Sequence, residues 1–230
     1  MKILSIRNAV RLGLIGALLV LGVSGAAAQT ADAGIVNQLA GDVTYASGTA
    51  APARAQPFMR VRQGDRFTLG AGGSVRLVYF QGGRQETWKG PVSFRVGAAL
   101  SEQASGPRPE VTMLPTGVPQ KIGRMPELLQ SARLGGVTVR GLSSRARPPL
   151  SAVEKTEVAE ARAIYRKLRT DAAPDDITPE LYLFSVLQDY SLYDEMKPVA
   201  EDMQKRQPAS TEAKELAAWA EKRAAQQSRK

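Results

Sequence analysis

The feature of this sequence that most constrains its fold is a change in hydrophobic periodicity near residue 150. Before it, short runs of β-branched and aromatic residues are separated by glycine-containing turns, as in small all-β domains. After it, apolar residues recur at helical spacing. The sequence therefore predicts an α+β fold by segments, in which a small all-β sandwich or barrel-like domain precedes a C-terminal α-helical hairpin bundle.

The first segment is predicted to contain short strands that each bury one face. Val92, Phe94 and Val96 alternate with polar residues, which is the pattern of such a strand. Gly82 and Gly83 are predicted to form a two-residue hairpin loop, because both central positions of that loop need positive φ. The predicted strands are 35–39, 43–46, 57–61, 67–69, 75–80, 86–89 and 92–96.

This hairpin loop predicts a pair of opposed cations. It places Arg76 opposite Lys89, and like charges directly opposite one another cost up to about 1 kcal/mol. We therefore predict that Arg76 and Lys89, together with Arg95 on the next strand, face a bound anion. Screening by solvent and a longer loop that shifts the register are the alternatives.

Two further groups of residues have both a functional and a structural interpretation. Tyr79, Trp88 and Phe94 could form a surface on which a saccharide stacks, but their alternating strand positions favour a place in the core. Asp175 and Asp176 form an acidic pair before a predicted helix, where Asp is common in turns. This pair is not predicted to be a metal site.

The N-terminal residues have the pattern of a secretory signal peptide. Lys2, Arg7 and Arg11 precede an apolar run of about a dozen residues, whereas a spanning helix needs roughly 20. Small residues follow, and cleavage is predicted between Ala28 and Gln29. The prediction is an exported protein without a stable membrane anchor, and an uncleaved anchor is the alternative.

Composition excludes most familiar catalytic chemistry. The 230 residues include neither Cys nor His, which removes thiol nucleophiles, Cys/His zinc sites and His-based triads. No well-supported carboxylate pair for acid–base work replaces them. We predict a protein that is not an enzyme and has no catalytic residue, no metal site and no cofactor.

Charge is divided unevenly along the chain. Residues 29–150 contain 15 Lys and Arg against 7 Asp and Glu, whereas residues 151–230 contain 13 against 15. Most of the cations in the first part are Arg, whose planar fork suits carboxylate and phosphate. This surface favours anionic partners other than nucleic acid, although a solvated surface without a specific partner also explains it.

Glycine turns and short strands alternate in residues 41–44, 61–67 and 70–83. In this pattern residues 34–97 resemble the FecR-type periplasmic domain, with Gln81-Gly82 where the family commonly has Asp-Gly. It implies an all-β, non-enzymatic module in the periplasm. The iron-signalling role of the founding members is not carried over.

The second segment begins with clear helix signals. Ser151 and Glu154 are predicted to form a capping box. Thr178 is predicted to cap the next helix, with Pro179 in its first turn. That helix is apolar nearly all round, so we expect it to be the buried centre of the helical region.

Two more predicted helices, from about residues 194 and 211, complete a pattern that resembles a degenerate tetratricopeptide hairpin. Pro174 and Pro208 are 34 residues apart, which is the length of that repeat. The resemblance implies that the helical hairpins bind a partner protein. An unrelated four-helix tail is the alternative.

The predicted organisation has four parts. They are a signal peptide at 1–28, a FecR-like all-β domain at 29–97, a bridge at 98–150 and a tetratricopeptide-like helical region at 151–230. The bridge is predicted to contain a short helix near 126–134, a strand at 137–139 and exposed stretches at 101–109 and 141–149. The β-domain and the helical region are expected to fold separately.

These predictions together indicate a non-enzymatic exported envelope protein that acts as a scaffold or adaptor. Its β-domain would dock on an envelope component, and its helical hairpins would bind a partner protein. The alternative is a cell-wall or anionic glycan binding protein that uses the basic face with Arg76, Lys89 and Arg95.

Overall fold

The computed structural model describes residues 31–134 and 149–228, and it confirms the predicted fold class. Among these residues, two antiparallel sheets of five strands each precede six helices. The predicted signal peptide, the strand at 137–139 and all but the last residue of the exposed stretch 141–149 lie outside the described residues. No helix in the described ranges is long and apolar enough to cross a membrane.

Each of the predicted strands overlaps a strand of the structure. Three further strands were not predicted, namely β3 (Ala53–Arg54), β9 (Ser101–Ser105) and β10 (Glu110–Met113). One sheet, termed the inner sheet, contains β1 (Asp32–Ala40), β4 (Arg60–Arg62), β6 (Ser74–Tyr79), β7 (Arg84–Lys89) and β10 (Glu110–Met113) in the order β10-β7-β6-β1-β4. The other, termed the outer sheet, contains β2 (Val43–Ala46), β3 (Ala53–Arg54), β5 (Arg66–Leu69), β8 (Val92–Val96) and β9 (Ser101–Ser105) in the order β3-β2-β5-β8-β9.

The two sheets pack face to face around an aromatic core. The Trp88 and Phe94 rings stack with their centroids 4.4 Å apart, and the Phe94 and Phe67 rings stack at 5.4 Å. Tyr79 is also completely buried between the sheets. The core interpretation of Tyr79, Trp88 and Phe94 is confirmed, and the saccharide-stacking interpretation was wrong.

The hairpin between β6 and β7 differs in register from the prediction. Arg76 pairs with Thr87 rather than with Lys89, so the predicted opposition of two cations is wrong. The physical reason is a longer loop that contacts the chain after β10. Gly83, which has the predicted positive φ, accepts the N–H of Leu114 at 2.8 Å, and a Cβ at Gly83 would lie 2.7 Å from the Leu114 carbonyl oxygen.

The helices cover the face of the inner sheet that points away from the outer sheet. They are α1 (Val118–Ile122), α2 (Met125–Arg133), α3 (Ala152–Asp171), α4 (Thr178–Asp189), α5 (Tyr193–Arg206) and α6 (Thr211–Ser228). Helix α4 is buried on nearly all sides, as predicted, and the capping box of Ser151 and Glu154 is confirmed. Ile35 and Val78 of the inner sheet share one hydrophobic cluster with the helices. The molecule therefore has three layers, with the inner sheet in the middle.

Part of the predicted bridge is folded into these layers. Strand β9 extends the outer sheet, β10 extends the inner sheet, and α2 coincides with the predicted short helix and contacts α6. The stretch 101–109, predicted to be exposed linker, thus begins with a strand. Separate folding of the two halves stays a prediction, although the hydrophobic cluster around Ile35 and Val78 joins them.

Candidate functional site

Arg76, predicted to face an external anion, lies between the inner sheet and the helices. Its side chain is 8% exposed, and its Nη1 is 3.4 Å from Oδ1 of Asp176. Its Nε donates to Oγ1 of Thr87 at 3.0 Å, and its Nη1 donates to Oε1 of Gln38. The prediction was wrong because the helices cover this face of the sheet, and the loop before α4 supplies the anion from the same chain.

The structure does not bring the three predicted site residues together. Lys89 is exposed, and its Nζ is 2.6 Å from Oε1 of Glu110 in the neighbouring strand β10. Arg95 lies on the outer sheet, directly opposite Arg66. Of the three predicted cations, Arg95 is the one that forms no ion pair with a described residue.

Asp176 connects α4 to the inner sheet. Its Oδ1 accepts the backbone N–H of Thr178 at 2.8 Å, which satisfies a donor at the start of the helix, so Asp176 rather than Thr178 supplies the capping side chain. Its Oδ2 accepts from Nε2 of Gln85 in β7 at 2.8 Å. Thr178 Oγ1 donates to Oε1 of Gln85 at 2.8 Å and accepts from Asn37 in β1. Asp176, a residue of the turn before α4, therefore also holds α4 in position on the inner sheet.

A second carboxylate holds the loop before α4 in place. Glu180 is fully buried, with Oε2 3.0 Å from Nη1 of Arg169 and Oε1 3.1 Å from Nε of Arg206. The same guanidinium groups donate to loop carbonyls, from Arg169 to Asp176 at 2.6 Å and from Arg206 to Pro174 at 3.0 Å. Two guanidinium groups thus compensate the buried charge of Glu180 and fix the loop that presents Asp176.

A cleft of about 370 Å³ opens beside this network. It lies between the β7–β10 side of the inner sheet and the C-terminal end of α3, and we term it the β10–α3 cleft. Its strand side includes Thr112, Met113 and Leu114, and its helix side includes Lys167, Leu168 and Asp171. The cleft is thus a groove between a strand and a helix, and Arg76 and Asp176 form part of its inner wall.

Strand β10 is an open edge of the inner sheet. It pairs with β7 on one side, and no other described strand pairs with it. Because Leu114 donates its N–H toward β7 and the hydrogen-bonding groups alternate along a strand, the N–H groups of Val111 and Met113 point away from β7. The two residues are 43% and 62% exposed. Unpaired backbone groups and exposed apolar side chains make this edge a place where another strand can add.

The opposite edge strand of the inner sheet, β4, is linked to the helical layer by a side chain. Arg60 in β4 donates Nη2 to the carbonyl of Gly123 at 3.0 Å and to Oε1 of Glu127 in α2 at 2.5 Å. These bonds hold the start of the helical layer against β4.

Strand β10, and with it the cleft, was not predicted from the sequence. A signal was present, because Glu110–Met113 alternates polar and apolar residues between two nearby prolines, Pro109 and Pro115. The four-residue run is short, and it falls inside a stretch whose composition is typical of a linker. Its pairing with β7, which no local pattern reveals, makes it part of the sheet.

The cleft has the chemistry of a binding site. Two of its ionisable groups are balanced within the chain, Arg76 by Asp176 and Glu110 by Lys89. The Thr112 hydroxyl, the strand backbone, the apolar side chain of Leu168 and the charged side chains of Lys167 and Asp171 remain for contacts with a ligand. The described residues contain no group of three or more acidic side chains that could hold a metal ion.

In comparisons with protein-family models, curated proteins and solved structures, nothing matches this chain.

Proposed function

We propose that this chain is a non-enzymatic exported envelope protein that acts as an adaptor by holding an extended segment of a partner protein along β10. The observation that carries the proposal is the unpaired edge of β10 beside the β10–α3 cleft. A segment added there would pair with the outward backbone groups of Val111 and Met113 and become a sixth strand of the inner sheet. Its alternate side chains would enter the cleft.

Export and a protein partner are supported by the sequence. The cations, apolar run and small residues that end at Ala28 favour secretion, and the FecR-type resemblance of residues 34–97 favours the periplasm. The tetratricopeptide-like pattern of the C-terminal region favours a partner protein rather than a small ligand. In this proposal α3 contributes one wall of the binding groove, and the other helices hold that wall in position.

The alternative, binding of a cell-wall polymer or anionic glycan through the face with Arg76, Lys89 and Arg95, has less support at two of these three residues. Arg76 and Lys89 each already have a carboxylate partner within the chain, Asp176 for Arg76 and Glu110 for Lys89. A polyanion would have to displace both carboxylates, and that of Asp176 is buried. A partner protein at β10 needs no such displacement.

The test compares proline and threonine at the same position. Met113→Pro removes the outward N–H but leaves the ladder with β7, whereas Met113→Thr keeps the N–H and serves as the matched control. Purified protein with either change is incubated with solubilised envelope fraction and with sedimented cell wall. We expect wild-type protein and Met113→Thr to retain the same envelope protein, and Met113→Pro to lose it.

Two results would contradict the proposal. Equal retention of the envelope protein by Met113→Pro would show that β10 is not the binding edge. Co-sedimentation of all three proteins with cell wall alone, with no envelope protein retained, would favour the polymer alternative. Circular dichroism of each variant establishes that the fold is intact.

A further inference from the structure

The exposed face of the outer sheet carries three arginines that form no ion pair with another described residue. Strand alternation buries Phe67 and Phe94 and exposes their neighbours Arg66 and Arg95. Arg66 pairs directly with Arg95 across β5 and β8, so two guanidinium groups start from adjacent points of the sheet. Arg54 in β3 is exposed at the edge of the same sheet. Within residues 31–134 and 149–228, none of the three arginines forms an ion pair.

The opposition of Arg66 and Arg95 is unfavourable in the isolated protein. Like charges directly opposite on a sheet destabilise it, and each side chain is exposed rather than held by a carboxylate. The acidic residue nearest in register is Glu102, opposite Arg95 on β9, and it is a single carboxylate against three arginines. This differs from Arg76 and Lys89, which each have a carboxylate partner. The positive charge of this face is therefore not balanced by described residues of the chain, and an anion bound from outside would balance it.

A strip of hydroxyl groups runs beside the arginines. Thr44 pairs with Thr68 across β2 and β5, and Thr68 pairs with Ser93 across β5 and β8. The Ser93 hydroxyl lies 3.2 Å from Oγ1 of Thr68, which orders the strip. Hydroxyl groups donate and accept hydrogen bonds, as the hydroxyl groups of a sugar do.

We propose that this face, formed by Arg54, Arg66, Arg95, Thr44, Thr68 and Ser93, binds an anionic polysaccharide. The guanidinium forks would hold the carboxylate or phosphate groups of the polymer, and the hydroxyl strip would contact its sugar hydroxyls. Short Thr and Ser side chains leave the strip without a pocket, so it suits an extended polymer. The large exposed apolar residues among those described, such as Leu100 and Val153, are absent from this face, which disfavours insertion into a lipid surface.

This inference goes beyond the proposed adaptor function and does not depend on it. The polymer would lie on the sheet that is farther from the helices, whereas the proposed partner segment pairs with β10 of the inner sheet. Both ligands could bind at once. Loss of polymer binding with β10 binding retained, or the reverse, would separate the two proposals.

The experiment measures binding of the purified protein to polygalacturonate, a linear carboxylated polysaccharide, at low and high salt. Uncharged dextran and vesicles of phosphatidylglycerol are the comparison ligands. The test variant is Arg66→Gln with Arg95→Gln. The matched control is Arg166→Gln with Lys214→Gln, which removes the same charge from exposed helix positions that form no described ion pair.

We expect wild-type protein to bind polygalacturonate more tightly than dextran or vesicles, with weaker binding at high salt. The affinity should fall at least about fivefold in the sheet variant and change less than about twofold in the control. The thermal midpoint of the sheet variant should stay the same or rise, because a like-charge repulsion is removed.

Three results would overturn the proposal. An equal loss in both variants would mean that net charge alone attracts the polymer. Vesicle binding as tight as polygalacturonate binding would indicate a lipid surface instead. Absence of binding to polygalacturonate at low salt would show that the face does not hold such a polymer.

Discussion

The two faces of the inner sheet are both buried, but by different means. Toward the outer sheet, the contacts are apolar and aromatic, with Trp88 stacked on Phe94. Toward the helices, apolar residues such as Val78 surround a polar network in which Arg76 and Asp176 are paired. Apolar cores tolerate repacking, whereas a buried polar network is satisfied in few arrangements. We infer that apolar packing on both faces supplies most of the stability and that the polar network sets where the helices, and hence the β10–α3 cleft, lie.

The largest effect is expected on the sandwich face. Phe94→Ala removes a ring packed between Phe67 and Trp88, and we expect it to lower the free energy of unfolding by about 3–5 kcal/mol. Urea unfolding followed by circular dichroism measures the loss.

The two tryptophans then test whether the layers unfold together. Trp88 lies between the sheets, and Trp219 lies in α6 beside Phe184. With Trp88→Phe as background, fluorescence reports the helical layer alone. If the layers share one cooperative core, Phe94→Ala lowers the Trp219 midpoint as well. An unchanged Trp219 midpoint would support the separate folding predicted from the sequence.

A smaller effect is expected on the helical face. Asp176→Ala leaves the buried Arg76 without its closest carboxylate and removes the cap of α4, so we expect a loss of about 2–3 kcal/mol. The adjacent Asp175→Ala is the matched control, because Asp175 is 58% exposed and its nearest oxygen is 3.9 Å from Arg76. It should cost less than about 1 kcal/mol.

A double variant sharpens this prediction. Arg76→Met with Asp176→Ala removes both members of the pair, and we expect it to cost less than the sum of the single changes. Urea unfolding measures the losses. Equal losses for Asp175→Ala and Asp176→Ala would show that the buried carboxylate of Asp176 stabilises the fold no more than the exposed carboxylate of Asp175.

The smallest effect depends on pH and concerns the sandwich face again. Burial raises the pKa of the Tyr79 phenol above its ordinary value, although its hydrogen bond with Ser101 opposes the rise. The folded state therefore favours the neutral phenol. The stability that this preference contributes is lost as the pH rises from the unfolded pKa of about 10 toward the higher pKa of the folded state. Between pH 9 and pH 11, wild-type protein should lose roughly 1 kcal/mol more than Tyr79→Phe. Parallel losses in urea unfolding at the two pH values would contradict this assignment.

Much of the secondary structure could be predicted because it depends on neighbouring residues. The capping box of Ser151 and Glu154 spans one helical turn, and the positive φ at Gly82 and Gly83 follows from a tight loop. The alternation that ends at Val96 places one face of β8 in the core. Such features need no knowledge of the rest of the chain.

The site was harder to predict because its residues are distant in sequence. Gln85 and Asp176 are 91 residues apart and yet hydrogen-bonded, so neither could be assigned a partner from local pattern. Arg76 was taken for a surface cation because a charged residue in an alternating strand is commonly exposed. The continuous burial of residues 75–79 shows that this strand is covered on both faces. In the sequence, a run that is apolar except for one arginine is only a weak indication of such a strand.

The sequence alone determined most strands and helices of the described residues, their order along the chain and the exclusion of Cys- and His-based chemistry, because each follows from composition or from contacts within a few residues. Tertiary structure decided which charges are available to a partner. The helices bury Arg76 against Asp176 and leave Arg66 and Arg95 exposed, and pairing with β7 makes β10 an open edge. These outcomes depend on which surfaces meet when the layers pack, because packing determines whether a charge is paired, buried or left to solvent.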